Sequence, residues 1–254
     1  MNTLKINLVD QIAQVELNRP KANAINLEMA TDLLEAFKSF KLDEEVKAVW
    51  LHGSSPFFSA GLDVPELYGY DKDEIRNFWR KFHELLLSLN SFSKPLLASI
   101  TGHSPAGGCV LALCADYRIM ESGSFKIGLN EVPVGIVVPE PIFHLYAWTL
   151  GKRLAYASLM TGKLYNPKEA LEAGLVDQVV EGKEMKEASQ EVLKSMMALP
   201  PSTFSKTKSN LKNDLLRKLD QDFEEAYSSS MEAWWSEESQ EILKNLIKSL
   251  GKKQ

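Results

Sequence analysis

The sequence predicts an α/β protein, because its first half repeats a unit of strand, turn and helix and its end is helical. The 254 residues are 44% hydrophobic and 25% charged, with 14 Gly and 11 Pro. This composition fits one core with an appended lobe and excludes a disordered chain, a collagen-like repeat or a disulfide scaffold. The net charge of −5 argues against a general nucleic-acid surface, so no nucleic-acid partner is expected.

The N-terminal elements are predicted from apolar patterns and their boundaries. Residues 4–9 and 12–17 are short runs of branched apolar residues separated by two polar ones, which is typical of a hairpin. Asn26 precedes a helical pattern of apolar residues that continues to Phe37. Residues 46–51 predict a further strand, which ends in a turn-rich segment.

The next elements are predicted from a capping pattern and from amphipathicity. Asp63 is a candidate N-cap, with Pro65 in the first turn and Glu66 three residues later, so a helix should begin there. A longer helix with one apolar face is predicted over 73–89, followed by a strand over 95–101.

The middle and the end of the chain differ in character. Residues 107–114 are apolar all round, which is typical of a buried helix. Pro200 and Pro201 then interrupt the helical pattern, and only helical sequence with many charged residues follows. We therefore predict a core at 1–196 and a C-terminal helical region at 197–254.

We recognise no targeting signal in the sequence. It has no run of about 18 apolar residues, and its N-terminal segment has the profile of neither a secretory signal nor a transit peptide. Cys109 and Cys114 are expected to be buried free thiols, and two Cys with four His form no zinc-ligand pattern. We expect a cytoplasmic protein with no membrane partner and no metal.

A serine hydrolase is the first hypothesis for function. Residues 102–106 nearly match G-x-S-x-G between a strand and a helix, where a nucleophile elbow belongs. The residue after that serine must donate its backbone N–H to the oxyanion hole, but here it is Pro105, which has no N–H. His144, the only histidine after Ser104, lies in an apolar segment typical of packing. The serine hydrolase hypothesis is therefore rejected, because Pro105 cannot donate the required hydrogen bond.

The same turn is suited to holding an oxyanion. The first amides of a helix lack partners within it and carry the positive end of its dipole, and glycine lets a ligand approach closely. The N–H of Gly107 is therefore a candidate donor. A second candidate is the N–H of Leu62, in a loop of small and apolar residues at 57–63 that leads into the helix capped by Asp63.

These motifs carry a resemblance. FFSAGLD at 57–63, with ITGHSPAGGC at 100–109 and LNRPKANA at 17–24, resembles the crotonase family, also called the enoyl-CoA hydratase/isomerase superfamily. The resemblance covers essentially the whole chain. It implies a crotonase-like (ClpP/crotonase) spiral of ββα units and an acyl-CoA thioester substrate. It also implies that the C-terminal helical region packs at a trimer interface, in a homotrimer or a hexamer of two trimers.

The resemblance also assigns substrate contacts. The thioester carbonyl oxygen would accept hydrogen bonds from the N–H groups of Leu62 and Gly107. The backbone that would bind the nucleotide and pantetheine parts comprises Ala60, Gly61, Leu62, Asp63 and Val64. Many members have a lysine where this chain has Pro65, so the CoA phosphates would fall to Lys21, Arg19 or a C-terminal lysine.

Side chains then select the reaction. Hydratases of the family use two glutamates, but the first position is Val110 here, whereas Glu131 occupies the second. The apolar surroundings of Glu131 should raise its pKa. One carboxylate with an oxyanion hole suits an isomerase that moves a proton of a 3-enoyl-CoA from C2 to C4 to give 2-trans-enoyl-CoA. This reaction needs no cofactor besides the CoA of the substrate.

The motif pair PAGGC and GLNE is similar to Δ3,Δ2-enoyl-CoA isomerases of the mitochondrial type. Two alternatives stay open. One is another crotonase reaction, namely hydration, decarboxylation or thioester hydrolysis. The other is a non-catalytic CoA-binding protein.

Overall fold

A six-stranded, mostly parallel sheet runs through the computed structural model, which describes residues 1–251. The strands lie in the order β1-β2-β3-β4-β6-β8, and only β1 and β2 are antiparallel. A second sheet pairs β5 with β7. The strands are β1 Leu4–Val9, β2 Ile12–Leu17, β3 Ala48–His52, β4 Leu96–Ile100, β5 Ser104–Pro105, β6 Tyr117–Glu121, β7 Ile127–Gly128 and β8 Gln178–Val180.

Helices connect the strands and make up the end of the chain. The α-helices are α1 Leu27–Leu42, α2 Val64–Leu67, α3 Lys72–Asn90, α4 Gly107–Leu113, α5 Glu140–Leu150, α6 Lys152–Thr161, α7 Pro167–Glu172, α8 Met185–Met197, α9 Pro201–Leu219, α10 Phe223–Trp234 and α11 Glu237–Gly251. Short 3-10 turns cover Val132–Val134 and Gly182–Glu184. The α/β class that the sequence predicts is confirmed.

The predicted N-terminal elements form as expected. The hairpin pairs Leu4 with Leu17, and one face of β2 is buried because Ala13, Val15 and Leu17 pack in the core. Asn26 caps α1 by accepting a hydrogen bond from the N–H of Met29 at 3.0 Å. Asp63 caps α2 in the same way, and every residue of α4 is buried.

The helices at the C-terminal end share the core of the sheet region. Leu219, Tyr227 and Leu243, from three successive helices, are fully buried in the same apolar cluster as the residues of α1, α3 and α4. Of the adjacent tryptophans, Trp234 is 3% exposed, whereas Trp235 is half-buried and packs against that same cluster. Both tryptophans therefore contribute to the packing of the same core.

Two further expectations concern cysteines and membranes. Cys109 and Cys114 are both buried and free, as predicted. None of the helices within residues 1–251 combines the length and the apolar character that spanning a bilayer requires. Lys252 and Lys253, which belong to the predicted C-terminal lysines, lie outside the described residues.

Candidate active site

The loop at 57–63 is fastened to the turn that precedes α1. The N–H of Ala60 donates to the carbonyl of Ala22 at 2.8 Å. Asn23 is buried with φ of 51°, a conformation that asparagine tolerates better than most residues. The side-chain amide of Asn23 donates to the carbonyl of Phe58 at 3.1 Å, and the main-chain carbonyl of Asn23 accepts from the Ser59 hydroxyl at 2.7 Å. The turn therefore fixes the path of the loop.

Glycines bring this loop against the turn that precedes α4. A Cβ atom at Gly61 would lie 3.1 Å from the nitrogen of Gly107, and Gly61 has φ of +86°. A Cβ atom at Gly108 would lie 2.4 Å from the carbonyl oxygen of Ser59, closer than real Cβ atoms come. The two backbones can approach this closely only because neither position carries a side chain.

The close approach places two unpaired amides side by side. The carbonyl of Gly61 accepts from the N–H of Ile25 at 2.7 Å, and the N–H of a trans peptide points opposite to its carbonyl, so the Leu62 N–H points away from Ile25. Gly107 is the first residue of α4, where amides lack partners within the helix. Within residues 1–251, no hydrogen bond uses the N–H of Leu62 or of Gly107.

A two-stranded sheet links these amides to Glu131. Pro105 pairs with Gly128 in the β5–β7 ladder, and the N–H of Ala106 donates to the carbonyl of Gly128 at 2.8 Å. Ala106 has φ of 50°, a strained conformation for alanine that this bond helps to hold. Because Glu131 follows β7 by three residues, the turn that presents Gly107 and the segment that carries Glu131 are joined by the hydrogen bonds of this sheet.

Glu131 is a buried carboxyl that is 7% exposed. Within the described part of the chain, it forms no ion pair and its Oε2 atom has no hydrogen-bond partner. Burial raises the pKa of Glu131 to about 7, because a low-dielectric environment disfavours the charged form. The predicted rise of this pKa is confirmed. A carboxyl with a pKa near neutrality can both accept and return a proton.

The position of the first glutamate discussed above is apolar, and two weakly acidic groups lie near Glu131. Val110 lies fully buried in α4, so no second carboxyl stands at that position. Burial raises the pKa of the Cys109 thiol, and the nearby charge of Glu131 raises it further. The Tyr146 hydroxyl is buried, and its pKa is raised by burial first and by nearby groups that include Glu131.

The serine and the histidines of the rejected hydrolase hypothesis differ in their contacts. The Ser104 hydroxyl is buried, and among residues 1–251 it has no hydrogen-bond partner. The His103 ring stands between Phe57 and Phe125, and its Nδ1 accepts from the Lys126 N–H at 3.2 Å. The Nε2 atom of His144 lies 3.0 Å from the Glu140 carboxylate, on the same helix. None of these contacts forms a Ser–His pair.

Within the segment at 60–64, the N–H groups other than that of Leu62 donate to acceptors inside the protein, and the Asp63 side chain is occupied as well. Val64 opens α2 and is buried. One carboxylate oxygen of Asp63 caps α2 by accepting from the Glu66 N–H at 3.0 Å, and the other lies 2.6 Å from the Arg19 guanidinium. Arg19 also lies 2.7 Å from the Glu66 carboxylate. The hypothesis that Arg19 binds a CoA phosphate is therefore not favoured.

Sequence reasoning missed the side chains that hold the loop. Asn23, Ser59 and Arg19 all act through contacts with residues far along the chain. The only local signal was an asparagine in a turn-forming stretch, and it does not reveal which loop the asparagine supports. The motif LNRPKANA contains two of the three residues.

Known proteins are similar to this chain. A family model described as enoyl-CoA hydratase/isomerase matches residues 8–248. "Enoyl-CoA delta isomerase 1, mitochondrial" of Mus musculus is 36% identical over 203 residues, which cover 79% of this chain and 70% of that protein. The Homo sapiens protein of the same name is 34% identical and is covered to 67%. A probable enoyl-CoA hydratase of Rhizobium meliloti is 31% identical over 70% of this chain and 68% of its own.

Solved structures agree with these sequence matches. The crystal structure of human mitochondrial delta3-delta2-enoyl-CoA isomerase superimposes with a TM-score of 0.94 at 28% identity, over 99% of each chain. The enoyl-CoA hydratase of Bacillus halodurans shares the fold, with a TM-score of 0.88 at 22% identity over 96% of this chain and 99% of its own. The predicted crotonase fold is thereby confirmed, and the chain belongs to the enoyl-CoA hydratase/isomerase family.

Proposed function

We propose that the protein is a Δ3,Δ2-enoyl-CoA isomerase, which converts a 3-enoyl-CoA into the 2-trans-enoyl-CoA. The observation that carries the proposal is the buried, unpartnered carboxyl of Glu131 on the segment fastened to the Gly107 turn. The likeness to mitochondrial enoyl-CoA delta isomerases supports it. The substrate class follows from the family, whose members named above act on enoyl-CoA thioesters.

The proposed reaction is a proton shuttle. Glu131 takes a proton from C2 of the 3-enoyl thioester, and the electron pair of that C–H bond is delocalised onto the thioester oxygen as a dienolate. The N–H groups of Leu62 and Gly107 stabilise the negative oxygen by donating to it. Glu131 then returns the proton at C4, so the carbonyl is restored and the double bond lies between C2 and C3. No cofactor beyond the CoA of the substrate takes part.

Hydration of a 2-enoyl-CoA is the second candidate, since one relative is named a probable enoyl-CoA hydratase. Addition of water to a double bond needs one group to activate the water and a source of the proton at C2. Val110 is buried and can neither accept nor donate a proton. The apolar side chain at this position therefore favours the isomerase over the hydratase.

The two functions are separated by two assays on the intact protein. With a 3-enoyl-CoA substrate, we expect the ultraviolet absorbance of the conjugated 2-enoyl thioester to appear. With a 2-enoyl-CoA substrate, we expect that absorbance to persist, because hydration would remove the conjugation. Rapid loss of absorbance from the 2-enoyl-CoA, with no gain from the 3-enoyl-CoA, would overturn the proposal.

The pH dependence of the rate should report the state of Glu131. The carboxylate is the base, and burial raises its pKa to about 7, so kcat/KM for a 3-enoyl-CoA should fall as the pH drops below about 7. The measurement is a pH profile of initial rates, with stability checked at each pH by circular dichroism. A profile that stays flat down to pH values near the ordinary glutamate pKa, about 4.3, would contradict this role.

A further inference from the structure

The Arg19 guanidinium forms the centre of an ion-pair cluster behind the Leu62 amide. One of its nitrogens lies 2.6 Å from the Asp63 carboxylate and donates to the carbonyl of Ala24 at 3.0 Å, and another lies 2.7 Å from the Glu66 carboxylate. The Arg19 side chain is only 21% exposed. A planar guanidinium with several donors in fixed directions can hold two carboxylates at once.

The same cluster ties α2 to the start of α1. The two oxygens of Glu66 accept from the side-chain amide of Asn26, at 3.0 and 3.1 Å, and one of them accepts from the Tyr70 hydroxyl at 2.7 Å. Asn26 is also the N-cap of α1. Arg19 therefore connects three pieces of backbone: its own turn, the beginning of α1 and the beginning of α2.

The Leu62 peptide stands between the parts that this cluster holds. Ile25 binds the segment on both sides of Leu62, because its N–H donates to Gly61 at 2.7 Å and its carbonyl accepts from the Asp63 N–H at 2.9 Å. Arg19 fixes Ala24, the residue before Ile25, and Asp63, the residue after Leu62. The direction of the Leu62 N–H thus depends on two backbone bonds. One comes from the peptide between Ala24 and Ile25, whose carbonyl accepts from Arg19, and the other comes from Asp63, whose carboxylate Arg19 binds.

We infer that Arg19 is a positioning residue, which aims the Leu62 N–H at the thioester oxygen by clamping Asp63 and Ala24 together. The inference rests on the proposed function and extends it to a residue that does not touch the substrate. Without Arg19, the carboxylates of Asp63 and Glu66 would face each other with no cation between them. Their repulsion and the lost contact with Ala24 would release the Leu62 peptide.

The test compares Arg19→Met, Arg19→Lys and a control, Arg217→Met, which removes an exposed arginine that lies 3.6 Å from Asp214 on α9. We expect Arg19→Met to lower kcat for a 3-enoyl-CoA by roughly 10–10²-fold, less than the loss of a whole oxyanion donor. KM should change by no more than about 3-fold, since the weakened hydrogen bond is stronger to the negative oxygen of the transition state than to the carbonyl of the bound substrate. Arg19→Lys should recover part of kcat, and Arg217→Met should match the wild type.

A spectroscopic readout isolates the oxyanion hole from the chemistry. Octanoyl-CoA has no double bond to move, so the infrared stretch of its bound thioester carbonyl reports only the hydrogen bonds that the oxygen accepts. We expect a shift to lower frequency in the wild type and a smaller shift in Arg19→Met. This measurement tests the inference even if the wild type isomerises nothing, an outcome that would count against the proposed function alone.

Two results would overturn the inference. The first is an unchanged carbonyl frequency in Arg19→Met and in Arg19→Lys, because the cluster would then be merely structural. The second is an Arg19→Met protein whose KM is raised while its kcat is retained, and whose KM equals that of the wild type when the substrate is the thioester of dephospho-CoA. That result would make Arg19 a phosphate ligand. Should Arg19→Met fail to fold, the Arg19→Lys variant decides between these outcomes.

Discussion

Replacing Glu131 by glutamine should reduce isomerase turnover by roughly 10²–10⁴-fold, the range that a positioned general base contributes. Glutamine has nearly the same shape but cannot take a proton from C2, so binding of the thioester should be little changed. The measurement is kcat with a 3-enoyl-CoA, alongside the Kd of a saturated acyl-CoA. Glu172→Gln, on an exposed side chain of α7, is the matched control. Full activity of Glu131→Gln would remove Glu131 from the mechanism.

The stability of the same variant should depend on pH in a distinctive way. Because burial raises the pKa of Glu131 to about 7, the folded protein binds more protons than the unfolded chain between the ordinary value, about 4.3, and about 7. The wild type should therefore lose stability as the pH rises through this window, by an amount on the order of 3 kcal/mol. Glutamine does not titrate, so Glu131→Gln lacks this loss. The free energy of unfolding of the variant should therefore increase relative to that of the wild type as the pH rises through the window.

Gly108→Ala should be the second most damaging change. The added Cβ would lie 2.4 Å from the carbonyl oxygen of Ser59, so the loop at 57–63 must move. The Ser59 hydroxyl accepts from the N–H of Gly61 at 3.2 Å, and its displacement would carry the Leu62 amide with it. A misplacement of about 1 Å costs about 10²-fold in rate, and such overpacking costs roughly 1–3 kcal/mol of unfolding free energy.

The control for this substitution is Gly251→Ala, where an added Cβ would meet no atom of residues 1–251 within 4 Å. Both variants are compared in kcat/KM and in urea unfolding. We expect Gly251→Ala to match the wild type in both. A Gly108→Ala protein that is destabilised but fully active would show that the contact between loop and turn supports the fold without setting the position of the amides.

The sequence predicts those elements whose signals are local. The cap at Asn26 and the continuous apolar run of α4 each predict an element that forms at the expected place. By contrast, β5 and β7 contain two residues each, which is too short for any periodic pattern. Their pairing joins residues 104 and 127, and its stability comes from the surrounding fold. The sequence therefore predicts only a turn at 102–106.

The features of the candidate site likewise differ in whether their sequence signals are local. The unpaired amide of Gly107 follows from its place at a helix start, and the raised pKa of Glu131 follows from apolar neighbours in sequence. The role of Arg19 could not be predicted from its own surroundings, because its partners Asp63 and Glu66 lie 44 and 47 residues further along. A long, charged side chain near an anionic ligand invites assignment to that ligand, yet here two carboxylates of the same chain hold it.

The bare Oε2 atom of Glu131 has a stereochemical consequence for the proposed reaction. Among the described residues no group donates to this buried oxygen, so its lone pairs are available for both proton transfers of the proposed reaction. C2 and C4 lie two bonds apart on the acyl chain, and one carboxyl can reach both only from one side of the acyl plane. Removal and return of hydrogen would then occur on the same face, and the isomerisation would be suprafacial.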